Sequence, residues 1–418
     1  MAGLWTTESR KNLATAADVL AVAIAVSLPW STSATAILVG LWFFALVPVL
    51  RWDELRREIL TPAGGLPVLL VLLGVAGMLW ADVTWLERWK GLDSFLKLLA
   101  IPLLLVQFRR SERGTWVFAG YLLSCVALLA VTAIVIAVPP LAATFLHLDN
   151  VIVKNAATQS GEFVICIFGL LFLVTEAAER RSRTKFFVFS VIIIGMLASI
   201  LYVATGRTAL VVALALLIVF VAKTSGTKGA AIVFSGAILV SVIGWSSSHY
   251  LRERTTQIWS DLKQYEAAQT VTSSGERLVF WTKSLAFISQ APVIGQGTGT
   301  IRFLYEKSAV GQAGAASEVS TNPHNQTFAV AIQLGLVGTA VLFAMWMAHL
   351  LMFHGPGLAA WVGLVVVTQN IIGSLVNSHL FDFTHGWSYV VGVGVAGGVV
   401  LANGRQGAET LQSPPAAP

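Results

Sequence analysis

The stretch TNPHNQTFAVAIQLGLVG, residues 321–338, begins as a polar turn and becomes an apolar helix. The apolar character continues to residue 350, long enough for the roughly 20 residues with which a helix crosses a bilayer. A histidine and an asparagine therefore stand at the head of a membrane helix. Their presence raises the question of what the helix is for.

Apolar runs of similar size recur outward from it, at 13–29, 33–50, 66–80, 92–107, 115–137, 162–178, 186–203, 208–222, 229–246, 324–350, 357–377 and 386–402. The 418 residues are 56% hydrophobic and 11% charged, with a mean hydropathy of +0.77. A water-soluble protein has too little interior to bury so much apolar side chain. An all-α integral membrane protein of about twelve transmembrane helices is expected. Arg10 and Lys11 ahead of the first run also fit a cleaved signal peptide, but a second run follows at once and favours a retained helix. The expected organisation is nine spans in residues 1–246, a large helical loop at 247–323, three spans in 324–402 and a disordered tail at 403–418.

Lys and Arg gather on one side of these spans. RWDELRRE (51–58), RRSERG (109–114), ERRSRTK (179–185), Lys223, Lys228 and Arg405 join the N-terminal pair there, against Arg88, Lys90, Lys154 and Arg207 on the other side. The positive-inside rule then places both termini in the cytoplasm and loop 247–323 outside. The same asymmetry accounts for most of the net charge of +6, so nucleic acid is not implied as a partner. Cys125 and Cys166 fall inside expected spans and suggest no disulfide, metal or redox role.

The loop reads as two helices and an irregular stretch. HYLRERTTQIWSDLKQYEAA (249–268) has the mixed charge and apolar spacing of a helix lying along the membrane surface. SSGERLVFWTKSLAFISQAP (273–292) opens with a capping box in which Ser273 caps and Glu276 reaches back. APVIGQGTGTIRF (291–303) then supplies a proline stop and a glycine-rich turn.

With Asn322 or Thr321 as N-cap and Pro323 at the first helical position, His324 falls in the first turn of the tenth span. The helix dipole there disfavours imidazolium, and a neutral imidazole can accept a proton. The competing reading is an amphipathic anchor at the membrane interface, the default for a lone histidine. Arg207, in LYVATGRTAL (201–210), lies between two apolar runs on the side that positive-inside anchors avoid. Arg277 could equally pair with Glu276 or Glu253 on the surface. All three residues share one face, and arginine forks beside a neutral histidine suit displacement of a lipid-linked phosphate.

The spacing His324-Asn325, nine residues, Gly335-Leu-Val-Gly338 resembles that of bacterial O-antigen ligases and their relatives. The resemblance extends along essentially the whole chain. The large loop before the last three spans, "GR" opening the eighth span, an arginine in the loop and NSHLFDFTHGW (377–387) all take part. It implies a GT-C-type glycosyltransferase of the bacterial inner membrane, with its site facing the periplasm and no cofactor or metal. Such an enzyme moves O-antigen glycan, with inversion, from undecaprenyl diphosphate to a hydroxyl of lipid A–core oligosaccharide. The partners would be that donor, that acceptor and membrane lipid. Carried over by residue, His324 matches the motif histidine, a general base, and Arg207 and Arg277 match arginines that hold the diphosphate. Asn325, Glu276 and Asp382 are secondary candidates, and Arg252, Arg254 and Arg302 compete with Arg277.

Protein O-oligosaccharyltransferases and O-antigen polymerases use the same kind of donor and stay open as alternatives. An anion transporter is a third reading, disfavoured because most span interiors read as apolar. Asn377, His379, Asp382 and His385 are expected to have structural or interfacial roles at the turn between the last two spans.

Overall fold

The computed structural model describes residues 6–145, 151–247 and 273–412. The expected surface helix at 249–268, with Arg252 and Arg254, lies outside the described residues. Every regular element among the described residues is helical.

Helices α1 (Thr7–Ser27) and α2 (Thr32–Leu46) form a hairpin, their first turns capped by the Thr6 and Ser31 hydroxyls. The short amphipathic α3 (Trp52–Ile59) stands at 83° to α4 (Pro62–Gly77). Next, α5 (Trp85–Leu96) and α6 (Ala100–Phe108) are joined by one 3-10 turn at Lys97–Leu99 and together form one span. Then follow α7 (Gly114–Ala137), α8 (Pro139–Phe145), α9 (Ala156–Glu179), α10 (Arg183–Tyr202) and α11 (Arg207–Ser247). The loop contributes α12 (Ser273–Gln290) and α13 (Ile301–Ala309), and the chain closes with α14 (Gln326–Met352), α15 (Leu358–Gly373) and α16 (Phe383–Gln412).

Each expected span corresponds to a helix, but the helices differ in quality. Eight among the described residues are long and apolar enough to cross a bilayer, and the bent α3–α4 pair would make nine. The other expected spans are α1, which carries Arg10, Lys11 and Asp18; α15, with only 16 residues; and the limb of α11 beyond Gly226. Gly226, at φ 72°, divides α11 into the two limbs expected as separate spans. Helix α13 was not anticipated; it follows the glycine turn directly and buries Ile301 and Tyr305. Residues 403–412, expected as disordered tail, continue α16, and Ala, Glu, Leu and Gln there favour helix.

Two apolar cores lie side by side. One joins α4, α5, α6, α14 and α16 through residues such as Phe95, Leu105, Phe108, Leu334 and Val393. The other joins α7, α9, α10, α11 and α15 through Leu128, Phe163, Met196, Leu216 and Trp361. Large apolar side chains including Phe44, Phe187 and Ile194 are exposed on the outside, as a membrane-facing surface requires.

Candidate functional site

The apolar helix of the opening stretch is broken. Gly335 has φ 62° inside α14, and a side chain there would collide with the Val293 carbonyl. The glycine turn after α12 docks into the break. Gln296 and Gly297 donate their N–H groups to the Ile332 and Gln333 carbonyls, while Leu336 and Val337 donate to the Pro292 and Val293 carbonyls. Those helix groups would otherwise bond one another, so the break leaves none of them orphaned. The GxxG pattern therefore marks a docking point that fixes α12 against the head of α14.

At that head, α14 starts at Gln326, three residues later than the Pro323 its sequence suggests. Asn325 is the cap, its Oδ1 accepting the Phe328 N–H at 3.1 Å and its Nδ2 donating to the Leu375 carbonyl at 3.0 Å. Asn322 cannot cap because its Oδ1 is taken by the His324 N–H at 2.8 Å and the Ser378 hydroxyl at 2.7 Å. His324 thus precedes the helix, at φ 53°, a left-handed conformation that costs a non-glycine residue about 1–2 kcal/mol. The Asn322 bond supports that conformation. Asn322 is itself held by Asn377 at 2.8 Å.

The half-buried His324 ring sits between α12 and the α15–α16 turn. Phe280 stacks on it with centroids 5.9 Å apart, and the Trp281 indole N–H donates to the His324 carbonyl at 3.4 Å. Burial pushes the imidazole below its usual pKa, the Arg277 charge pushes it further, and Asn377 opposes both. Arg277 lies one helical turn before Trp281 on the same side of α12. The expected neutrality of His324 is thus present, but its source is burial and Arg277 rather than the dipole of a helix it does not enter.

His324, Asn325 and Arg277 come together; the described contacts do not join Arg207 or Glu276 to them. Arg207 is exposed as the first residue of α11, and Glu276 is half-buried at the start of α12. The glycine before Arg207 has a clear purpose: a side chain on Gly206 would collide with Ser160, so only glycine lets α11 start against α9. Asp382 accepts from the His385 N–H and Nδ1, both at 2.9 Å, and Lys97 Nζ donates to the Phe381 and Asp382 carbonyls at 3.0 and 2.8 Å. Burial works to raise the Asp382 pKa, but the His385 bonds and the Lys97 charge outweigh it and hold the carboxyl below the usual carboxylate range.

Behind this turn lies a buried polar cluster. Lys154 sits 3.5 Å from the Glu162 carboxylate and donates to the Leu28 carbonyl and the Thr384 hydroxyl. His379 stacks on His385 at 4.0 Å. The span interiors are therefore less uniformly apolar than they read. Lys97 and Glu162 were available as signals, since a lone ionisable residue within an apolar run is costly in lipid and points to a partner.

A family model described as O-antigen ligase matches residues 191–343. The match spans Arg207, Glu276, Arg277, His324 and Asn325 and stops short of Asp382. No curated protein matches the chain.

Proposed function

We propose that this chain, a member of the O-antigen ligase family, transfers O-antigen glycan from undecaprenyl diphosphate to a sugar hydroxyl of lipid A–core oligosaccharide. The reaction takes place at the periplasmic face of the inner membrane. The observation that carries this reading is the placement of the half-buried His324 ring against α12, stacked on Phe280 and with its carbonyl held by Trp281, where the Arg277 charge on the same helix acts on it. The imidazole takes the proton of the acceptor hydroxyl as its oxygen attacks the anomeric carbon. The bond from that carbon to the diphosphate breaks from the opposite side, so the sugar inverts and undecaprenyl diphosphate leaves. Arg277 offsets the charge on the departing phosphate, and Arg207 provides a second planar fork for the same diphosphate. Asn325 supports His324 by capping the helix behind it.

The test is reconstitution in nanodiscs with undecaprenyl diphosphate-linked O-antigen and rough lipopolysaccharide in the presence of chelator. Ligated lipopolysaccharide on a gel is the expected product. Arg277→Ala and Arg207→Ala should abolish it, and Lys at either position should restore it only in part, because the bidentate geometry is lost. Glycan attached to a protein acceptor instead, or ligation only after divalent metal is added, would refute the reading.

A further inference from the structure

We propose that two adjoining cavities form one binding track for the acceptor, a glycolipid whose acyl chains lie in one cavity and whose sugars lie in the other. The inference rests on the ligase reading above. The first cavity is a groove of about 600 Å³ between α2, α5, α6 and the start of α16, mostly apolar, with Gly40, Trp42, Leu103 and Trp387 in its lining; Asp93 and Lys97 line it too, Lys97 being engaged by the Phe381 and Asp382 carbonyls. Phe43 and Phe44 also line it and are 46% and 76% exposed, so it opens on the outer, membrane-facing side of the bundle. The second cavity, about 300 Å³, is polar, lined by Glu87, Lys90, Asn322, Gln333, Ser378 and Asp382 among others.

Ser94 and Phe381 line both cavities, so the polar one adjoins the apolar one at a common edge. Along the α5–α6 span, Ser94 precedes Leu103 by nine residues, roughly 14 Å at helical rise, which carries the groove well into the apolar layer. A polar chamber opening into an apolar trough selects an amphipath with a sugar head. The chamber also comes up to the residues that precede the reacting group. Asn322 and Pro323 line it, and His324 is the next residue.

The charge pattern decides between acceptor and donor. The two cations at the polar chamber are each matched, Lys90 to Glu87 at 2.8 Å and Arg302 to Glu306 at 2.8 Å. Asp382 adds a further carboxylate. Carboxylates and amides accept hydrogen bonds from sugar hydroxyls, whereas a diphosphate would meet like charge. The track therefore takes the hydroxyl-bearing partner and leaves the diphosphate to the arginines.

Gly40 offers a direct test. A Cβ built there meets nothing within 4 Å, and Gly40 lines the groove, so the indole of Gly40→Trp is placed to enter the groove. In nanodiscs, Gly40→Trp should raise the KM for rough lipopolysaccharide by about tenfold while binding of undecaprenyl diphosphate-linked donor stays at the wild-type level. Ile194→Trp, which adds bulk to the exposed face of α10, should retain wild-type kinetics. A photoreactive phenylalanine analogue at Phe43 should capture the lipopolysaccharide, and should do so in the His324→Gln background as well. That capture reads the groove independently of turnover, so a failed groove and a failed ligase reading are told apart. Wild-type acceptor KM in Gly40→Trp, loss of donor binding in that variant, or capture of undecaprenyl lipid at Phe43 overturns the proposal.

Discussion

His324 combines a strained backbone with a depressed pKa, and both follow from its immediate neighbours. Because the imidazole lies below its ordinary 6.5, it is neutral through neutrality and becomes charged only on acidification. Ligation should therefore hold constant around neutral pH and fall as pH drops through the depressed value. A rate that rises on acidification would mean that imidazolium is the working form. His324→Gln keeps a hydrogen bond but cannot take a proton, and single-turnover ligation should drop by about 10²–10⁴ while donor binding persists. Asn325→Ala should cost instead about 1 kcal/mol of stability, read as a lower unfolding temperature, because the residue caps α14. The motif spacing singles out His324 in the sequence, whereas Arg277 stands there beside Arg252, Arg254 and Arg302 with no spacing to choose among them. The origin of the neutrality is not legible there, because the choice between Asn322 and Asn325 as cap decides whether the ring lies inside the helix dipole or ahead of it.

At the scale of elements, the legible features are those that depend on local pattern. Apolar runs mark the spans, proline and glycine mark the end of α12, and the helix begins at Ser273, within one residue of the start expected there. Features that depend on distant partners are not legible. The dipeptide Gly206-Arg207 reads as a turn, yet its glycine is set by Ser160 on another helix. Gly335 looks like an ordinary small residue in a membrane helix, but it is the point where backbone from 292–297 replaces backbone within α14. Gly335→Ala should accordingly do more than add a methyl. The left-handed φ alone costs about 1–2 kcal/mol, and collision with the Val293 carbonyl must also push the turn out of the break. A clear drop in thermal stability in detergent, with loss of ligation as α12 shifts away from His324, is the expected outcome. Gly236→Ala, where an added side chain meets nothing within 4 Å, should leave both unchanged.

Across the whole molecule, the two apolar cores meet around a polar centre that ties the bundle beneath the His324 turn. Lys154 is the principal connector. It stands ahead of α9, pairs with Glu162 within α9, and donates to Leu28 at the end of α1 and Thr384 at the start of α16. The Glu162 side chain is only 2% exposed, and breaking such a buried pair by removing one partner typically costs about 3–5 kcal/mol because the other charge is left uncompensated. Removing both charges together carries no such penalty. Lys154→Met should therefore destabilise the protein strongly, and Glu162→Gln should do so less, since Lys154 keeps its bonds to Leu28 and Thr384. The double variant Lys154→Met with Glu162→Gln should recover much of the loss of Lys154→Met alone, a coupling that a double-mutant cycle on thermal unfolding in detergent reads directly. If Lys154→Met is as stable as the double variant, the pair is not a charge-compensated connector, and the bundle is held by apolar packing alone.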